Sequence, residues 1–171
     1  LSAYANNHFY LGHAAMLVYE YIRGFMVDRI KREIDLSQKN SGILGLAFKK
    51  NIDDIRYSLS PKLQRYFLAE GAIVSVHDPY IDSQPLKDTL KDAQILILGI
   101  NHDVFKQISF DYLQSLVSQD CLVADIWNIL GTGKIIFSIK DMVGLQKEKL
   151  QKPKSNGEVK KYEKKRIPIS H

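Results

Sequence analysis

The sequence is poor in the residues that staple small folds or organise metal sites. It has one cysteine, Cys121, in 171 residues. That excludes an intrachain disulfide framework and any multi-cysteine metal centre. No run approaches the roughly 20 apolar residues of a membrane-spanning helix. Five prolines and ten glycines are present, but no Gly-X-Y period suggests a fibre, and no internal repeat is visible. No charged segment leads an apolar signal region, and the chain opens on Leu1. These absences lead to the expectation of a cytoplasmic protein, and of a piece cut from something longer. What is present is ordinary for a globular domain: 45% hydrophobic and 25% charged residues, enough for one domain with appendages.

The formal net charge of +5 suggests a nucleic-acid binder until its distribution is read. From Gly144 onward there are nine Lys/Arg and three Glu. The tail therefore carries +6 and residues 1–143 carry −1. Tyr162 is the only aromatic among those lysines, which gives base stacking little support. The expected tail, residues 144–171, is a solvated extension with few apolar groups to bury. Neither nucleic acid nor a membrane is an expected partner.

Residues 13–35 carry a 3.6-residue apolar stripe through Leu17, Val18, Ile22, Phe25, Met26 and Ile30, the mark of a helix. Alone, that helix is expected to be exposed and to associate through its stripe. The pattern then changes. Residues 42–48 are almost wholly apolar, as in a strand buried on both faces. Ser60, as candidate N-cap, and Pro61 open a helix that stops at Gly71. Further strands are expected at 72–77, 93–99 and 121–125, with a fifth at the edge over 134–137. Helices are expected around 85–91 and over 103–118. This alternation implies an α/β fold, a small doubly wound parallel sheet of Rossmann-like type over residues 40–143, preceded by one long N-terminal helix.

Ligands of such sheets bind outside the carboxyl ends of the strands. The first strand runs into Phe48, Lys49, Lys50, Asp54 and Arg56. Two lysines and an arginine there suit a phosphate-bearing ligand, and a solvated loop with Asp54 pairing Arg56 is the competing reading. The Gly-x-Gly-x-x-Gly of a dinucleotide loop is missing. Gly42 and Gly45 are expected to permit close packing, and Gly131-Thr132-Gly133 to form a turn. Asp78 stands where such folds place a ribose-binding acid, but Asp78-Pro79 also reads as a turn. His102, after the third strand, is expected to touch a ligand or cap the next helix. Cys121 is read as a small buried hydrophobe. His8 and His13 are five apart, not the four that would align metal ligands on a helix.

The run from Gly42 to Pro61 contains Leu44-Gly45-Leu46-Ala47-Phe48-Lys49, then Asp53-Asp54-Ile55-Arg56-Tyr57-Ser58. The run from Glu70 to Tyr80 contains Gly71-Ala72-Ile73-Val74 and ends in Asp78-Pro79-Tyr80. Together, in that order and at that distance, they resemble the C-terminal domain of the UDP-glucose/GDP-mannose dehydrogenase family. The opening residues 3–16 and Asp125-Ile126-Trp127-Asn128 are similar to a UDP-N-acetylhexosamine or UDP-N-acetylmannosamine dehydrogenase subgroup. The resemblance covers about Leu1 to Phe137.

The resemblance implies an oxidoreductase that turns a sugar C6 alcohol into a carboxylate in two NAD-dependent steps. It implies three parts. Residues 1–39 would end a central helical dimerisation region, residues 40–143 would form the nucleotide-sugar-binding domain, and residues 144–171 lie beyond the resemblance. It implies that Phe48 and Lys49 bind the UDP-sugar substrate and that Arg56 contacts NAD across the domain cleft. It implies a homodimer through the central helix. The family's catalytic cysteine and NAD glycine loop have no counterpart in this chain, so no catalytic residue and no metal ligand is expected here. Where many members carry Asp-Gly-Arg-Asn, this chain has Trp127 in place of the substrate-contacting arginine. The helix reads Tyr19-Glu20-Tyr21-Ile22-Arg23 where the family has an Asn-Glu or Asn-Asp pair and a proline. The alternative expectation is a non-enzymatic binding or dimerisation module from a split or decayed gene.

Overall fold

Four short apolar runs and the helices between them decide the architecture. In a computed structural model of the chain, residues 10–142 are described. The chain passes through α1 (Tyr10–Glu33), β1 (Asn40–Leu44), α2 (Ser60–Ala69), β2 (Ile73–His77), α3 (Leu86–Leu90), β3 (Ile95–Leu98), α4 (Phe110–Leu116), β4 (Leu122–Asp125) and β5 (Ile136–Ser138). The strands form one sheet in the order β2-β1-β3-β4-β5. The first four are parallel, and β5 runs antiparallel to β4 at the edge. An antiparallel edge is the natural outcome of the short connection from Asp125 to Ile136, because a parallel neighbour needs a crossover of a dozen residues or more.

Helices cover both faces. On one, Met26, Val27 and Ile30 of α1 pack with Leu63 and Phe67 of α2 against Ile43, Ile95, Ile97 and Ala124. On the other, Leu90, Phe105, Phe110, Leu113 and Val117 pack against Leu44, Leu96, Leu98 and Val123. All four residues of β3 are buried, which is why that strand reads as a continuous apolar run. Cys121 is fully buried in this second core, in the role of a small hydrophobe.

Three expectations are corrected. The apolar stripe of α1 is not wholly exposed, because Met26 is only 1% exposed and the C-terminal half of the helix packs on its own sheet. Leu17, Val18 and Tyr21, nearer the start, are exposed. Lys31 pairs with Glu70 at 3.0 Å and ties α1 to the end of α2. Ser60 is not the N-cap of α2. That place falls to Leu59, and the Ser60 amide donates to Ser58 Oγ at 3.2 Å. The expected helix over 103–118 is two pieces, a 3-10 turn at Phe105–Gln107 and α4. Ser109 separates them, since its side chain accepts the Tyr112 amide and caps α4 from extended backbone. Residues 1–9 of the expected dimerisation region and the basic tail from 144 onward lie outside the described residues.

Candidate functional site

From β1 the chain turns through α2 to β2, while from β3 it turns through α4, on the other face, to β4. The crevice of an open sheet lies where the order reverses, outside the carboxyl ends of β1 and β3. Glycines let the two strand ends close together there. Gly45 has φ +93, and a Cβ on it would lie 2.8 Å from Ile100 Cβ. A Cβ on Gly99 would lie 2.9 Å from the Gly45 carbonyl oxygen and collide with Ser60 Oγ. Ile100 and Ser60 therefore fill the space above these glycines. A pyrophosphate could not reach this backbone as it does in a dinucleotide loop.

A buried polar cluster holds the loops that leave these strands. Asp78 Oδ2 accepts the amides of Leu46 at 2.6 Å and Ala47 at 3.1 Å, and lies 3.1 Å from His102 Nε2. Asp78 Oδ1 accepts the Tyr80 amide at 2.9 Å. Neither Asp78 nor His102 exposes its side chain. Burial is the largest single influence on the Asp78 carboxyl and pushes it up. The bonds from Tyr80, Leu46, His102 and Ala47 together win, so it titrates below its ordinary value. Asp78 is thus an internal acceptor that shapes the β1 loop, and its carboxylate is buried away from a ribose. Sequence reasoning missed its pairing with His102, which lies 24 residues away.

The first-strand loop carries the expected site residues. Its ends are clasped by the Phe48 amide on the Asp54 carbonyl at 2.7 Å. Phe48 is half-buried and Lys49 is exposed, with Lys49 Nζ 5.5 Å from the centre of the Phe48 ring. Lys50 and Lys106 both reach Asp103, at 3.6 and 3.1 Å. Arg56 meets Asp54, with Nη2 2.8 Å from Oδ2, and this bond holds the Asp54 carboxyl down at about 2. Of the three loop cations, Lys49 has no carboxylate partner among the described residues. The structure thus places Phe48 and Lys49 together at the strand end, with Arg56 turned onto Asp54 farther along the same loop.

After β4, Asp125 accepts the amides of Ile129 and Leu130 at 2.9 and 2.8 Å and folds the next loop around itself. Trp127 projects from that loop. Its indole N–H donates to the Gly99 carbonyl at 3.0 Å, and 47% of the residue stays exposed. An aromatic face therefore stands at the carboxyl end of the sheet beside β3. Cys121 sits away from these loops, in the core, and burial pushes its thiol up to about 12. Among the described residues no group of three His, Cys, Asp or Glu side chains could hold a metal ion. Two surface grooves lie elsewhere, one of about 610 Å³ between α1 and α2 and one of about 370 Å³ between α1 and β5.

Asp78→Asn is expected to cost about 3 kcal/mol, since it leaves buried donors with a poorer or absent acceptor. The acid limb of stability tests this further. The folded carboxyl gives up its proton more readily than the unfolded one. Its contribution is therefore complete above the unfolded value and is lost as pH falls through the lower folded value. Chemical melts across that acid range are expected to show a shallower pH dependence in Asp78→Asn than in the parent chain. Identical slopes would contradict this role.

The profile of the UDP-glucose/GDP-mannose dehydrogenase family, UDP binding domain, matches residues 42–132. UDP-N-acetyl-D-mannosamine dehydrogenase of Methanocaldococcus jannaschii is 26% identical over 113 residues, covering 62% of this chain and 26% of that enzyme. UDP-glucose 6-dehydrogenase of Rickettsia conorii is 28% identical over 123 residues, covering 61% of this chain and 28% of that enzyme. The solved UDP-D-ManNAc dehydrogenase from Pyrococcus horikoshii superimposes with a TM-score of 0.66 at 24% identity, over 75% of this chain and 32% of that one. This last likeness carries the fold. The chain spans about a quarter of the length of the curated relatives it matches.

Proposed function

The chain belongs to the UDP-glucose/GDP-mannose dehydrogenase family, through that family's UDP-binding domain, and on this premise we propose that it is the nucleotide-sugar-binding portion of an NAD-dependent UDP-sugar 6-dehydrogenase. The observation that carries the reading is Lys49, at the carboxyl end of β1 and free of any carboxylate among the described residues. A cation so placed can meet a diphosphate without first breaking an ion pair. The Lys49 ammonium sits over the Phe48 ring, and Trp127 supplies a ring face at the same end of the sheet. Relatives named for two different sugars leave the choice between UDP-glucose and UDP-N-acetylmannosamine to the titration. Calorimetric titration with UDP, UDP-glucose and UDP-N-acetylmannosamine tests the reading, which requires weak, saturable binding of UDP. The absence of any saturable heat rejects it.

NAD, when bound by the whole enzyme, supplies the acceptor for the two hydrides that leave the sugar C6. This chain's contribution to that cofactor is Arg56, which is 80% exposed and held out from the loop by Asp54. The catalytic thiol and the glycine loop lie outside this chain on this reading. The exposed start of α1, with Leu17, Val18 and Tyr21, supports a homodimer through that helix.

The chain alone is expected not to reduce NAD with any UDP-sugar. A thiol nucleophile reacts as the thiolate and must touch the carbon it attacks. Cys121 is fully buried and its thiol is pushed up to about 12. Absorbance of reduced nicotinamide is expected to stay flat in both the parent chain and Cys121→Ser. Enzyme-like turnover abolished by Cys121→Ser would overturn the assignment.

A further inference from the structure

His102 is the one fully buried imidazole among the described residues, and it lies between the two loops that define the crevice. Its Nδ1 lies 2.7 Å from the backbone amide of Asn51. An amide nitrogen can only donate, so Nδ1 is the acceptor and carries no proton. The proton therefore sits on Nε2, which donates to Asp78 Oδ2 at 3.1 Å. The ring is neutral, and its contact with Asp78 is a hydrogen bond rather than an ion pair.

Asn51 has φ 59, left-handed backbone that is uncommon for non-glycine residues and that asparagine adopts more readily than most. Three bonds hold it to consecutive residues after β3. Its amide goes to His102, its Nδ2 donates to Asp103 Oδ2 at 2.6 Å, and its Oδ1 accepts the Asp103 amide at 3.1 Å. Asn51 lies two residues after Lys49, inside the loop clasped from Phe48 to Asp54. The position of Lys49 therefore follows from where Asn51 is pinned. Tyr80 and Phe105 pack their rings 5.0 and 5.3 Å from the His102 ring. Another flat side chain could serve that packing, but only an acceptor at the Nδ1 position can serve the Asn51 amide.

We propose that His102 is the positioning residue of the nucleotide site, using Nδ1 as the acceptor that pins Asn51 and so presents Lys49 to a diphosphate. The link to the diphosphate rests on the UDP-binding reading above, whereas the pinning of Asn51 does not. Two substitutions separate the halves of the imidazole. In His102→Asn the amide oxygen lies near the old Nδ1 position and can still accept from Asn51. In His102→Gln the terminal amide lies near the old Nε2 position, keeping a donor for Asp78 and leaving Asn51 without an acceptor.

Amide hydrogen exchange and UDP titration are to be run on the parent chain and both variants. Exchange at Asn51 is expected to be at least tenfold faster in His102→Gln than in His102→Asn, and UDP binding roughly tenfold weaker, about the worth of one hydrogen bond. Equal exchange and equal affinity in the two variants would overturn the proposal and leave His102 as a packing residue. If the parent chain binds no UDP, the UDP reading falls while the exchange arm still decides whether His102 pins Asn51. If neither variant folds, the nitrogen chemical shifts of the His102 ring in the parent chain decide. An unprotonated Nδ1 beside a protonated Nε2 is expected, and a protonated Nδ1 would overturn the proposal.

Discussion

Lys49→Ala is expected to weaken UDP binding ten- to a hundredfold. A charge-assisted hydrogen bond to a phosphate is worth roughly 1.5–3 kcal/mol, and each 1.4 kcal/mol is tenfold in affinity. Lys49 can deliver that full amount because it has no carboxylate to leave among the described residues: its ammonium rests 5.5 Å from the Phe48 ring centre. The neighbouring cations differ. Lys50 reaches Asp103, and Arg56 is bound to Asp54 through both Nε and Nη2. Arg56→Ala is therefore the internal control, with a much smaller loss of UDP affinity. The Lys49 contact is exposed, so added salt is expected to weaken binding by the parent chain and to have less effect on Lys49→Ala. Calorimetry on the three proteins at two salt concentrations checks this. Equal affinity of the parent chain and Lys49→Ala would mean that the β1 loop is a solvated loop and not the nucleotide site.

The largest effect on stability is expected from Gly45→Ala. Gly45 has φ +93, which costs a non-glycine residue about 1–3 kcal/mol. Its new Cβ would also stand 2.8 Å from Ile100 Cβ and 3.0 Å from the Ile100 nitrogen. Backbone at the second contact cannot rotate away, and overpacking of this kind costs about another 1–3 kcal/mol. The expected sum of about 2–6 kcal/mol is a large share of a typical domain's 5–15 kcal/mol. It corresponds to a fall in Tm of roughly 10 °C or more. Gly131→Ala separates the two causes, since Gly131 has φ +69 and nothing within 4 Å of the added Cβ. That variant is expected to lose only the conformational part. Equal losses for the two variants would show that Ile100 gives way, and that the close approach of β1 and β3 is not what requires Gly45.

Much of this architecture was legible residue by residue. The apolar runs containing Ile43-Leu44, Ile95-Leu96-Ile97-Leu98 and Val123-Ala124 name three central strands, because burial on both faces leaves no polar position in them. The charged run after Phe48, and the two motifs from Gly42 to Pro61 and Glu70 to Tyr80, were enough to place a cationic loop at the first strand's end. Other features were illegible for stated reasons. The direction of β5 depends on what its connection can span. The division of the 103–118 segment depends on which of Ser109's two roles, helix interior or cap, the packing of Phe105 and Phe110 selects. The partial burial of the α1 stripe depends on how far the helix overhangs its sheet.

The sequence by itself determined the order of the main strands and helices, which family the chain belongs to, and that cations gather where β1 ends. These are properties of neighbouring residues, carried by continuous apolar runs and by motifs read in order. Only the tertiary structure decided what those cations and the polar groups around them do. It left Lys49 without a carboxylate among the described residues and turned Asp78 inward to His102. It also set His102 against an amide 51 residues away. The physical reason is that a hydrogen bond acts over about 3 Å. Partners so far apart in the chain are brought within that reach only by the order β2-β1-β3, which aligns the carboxyl ends of three parallel strands.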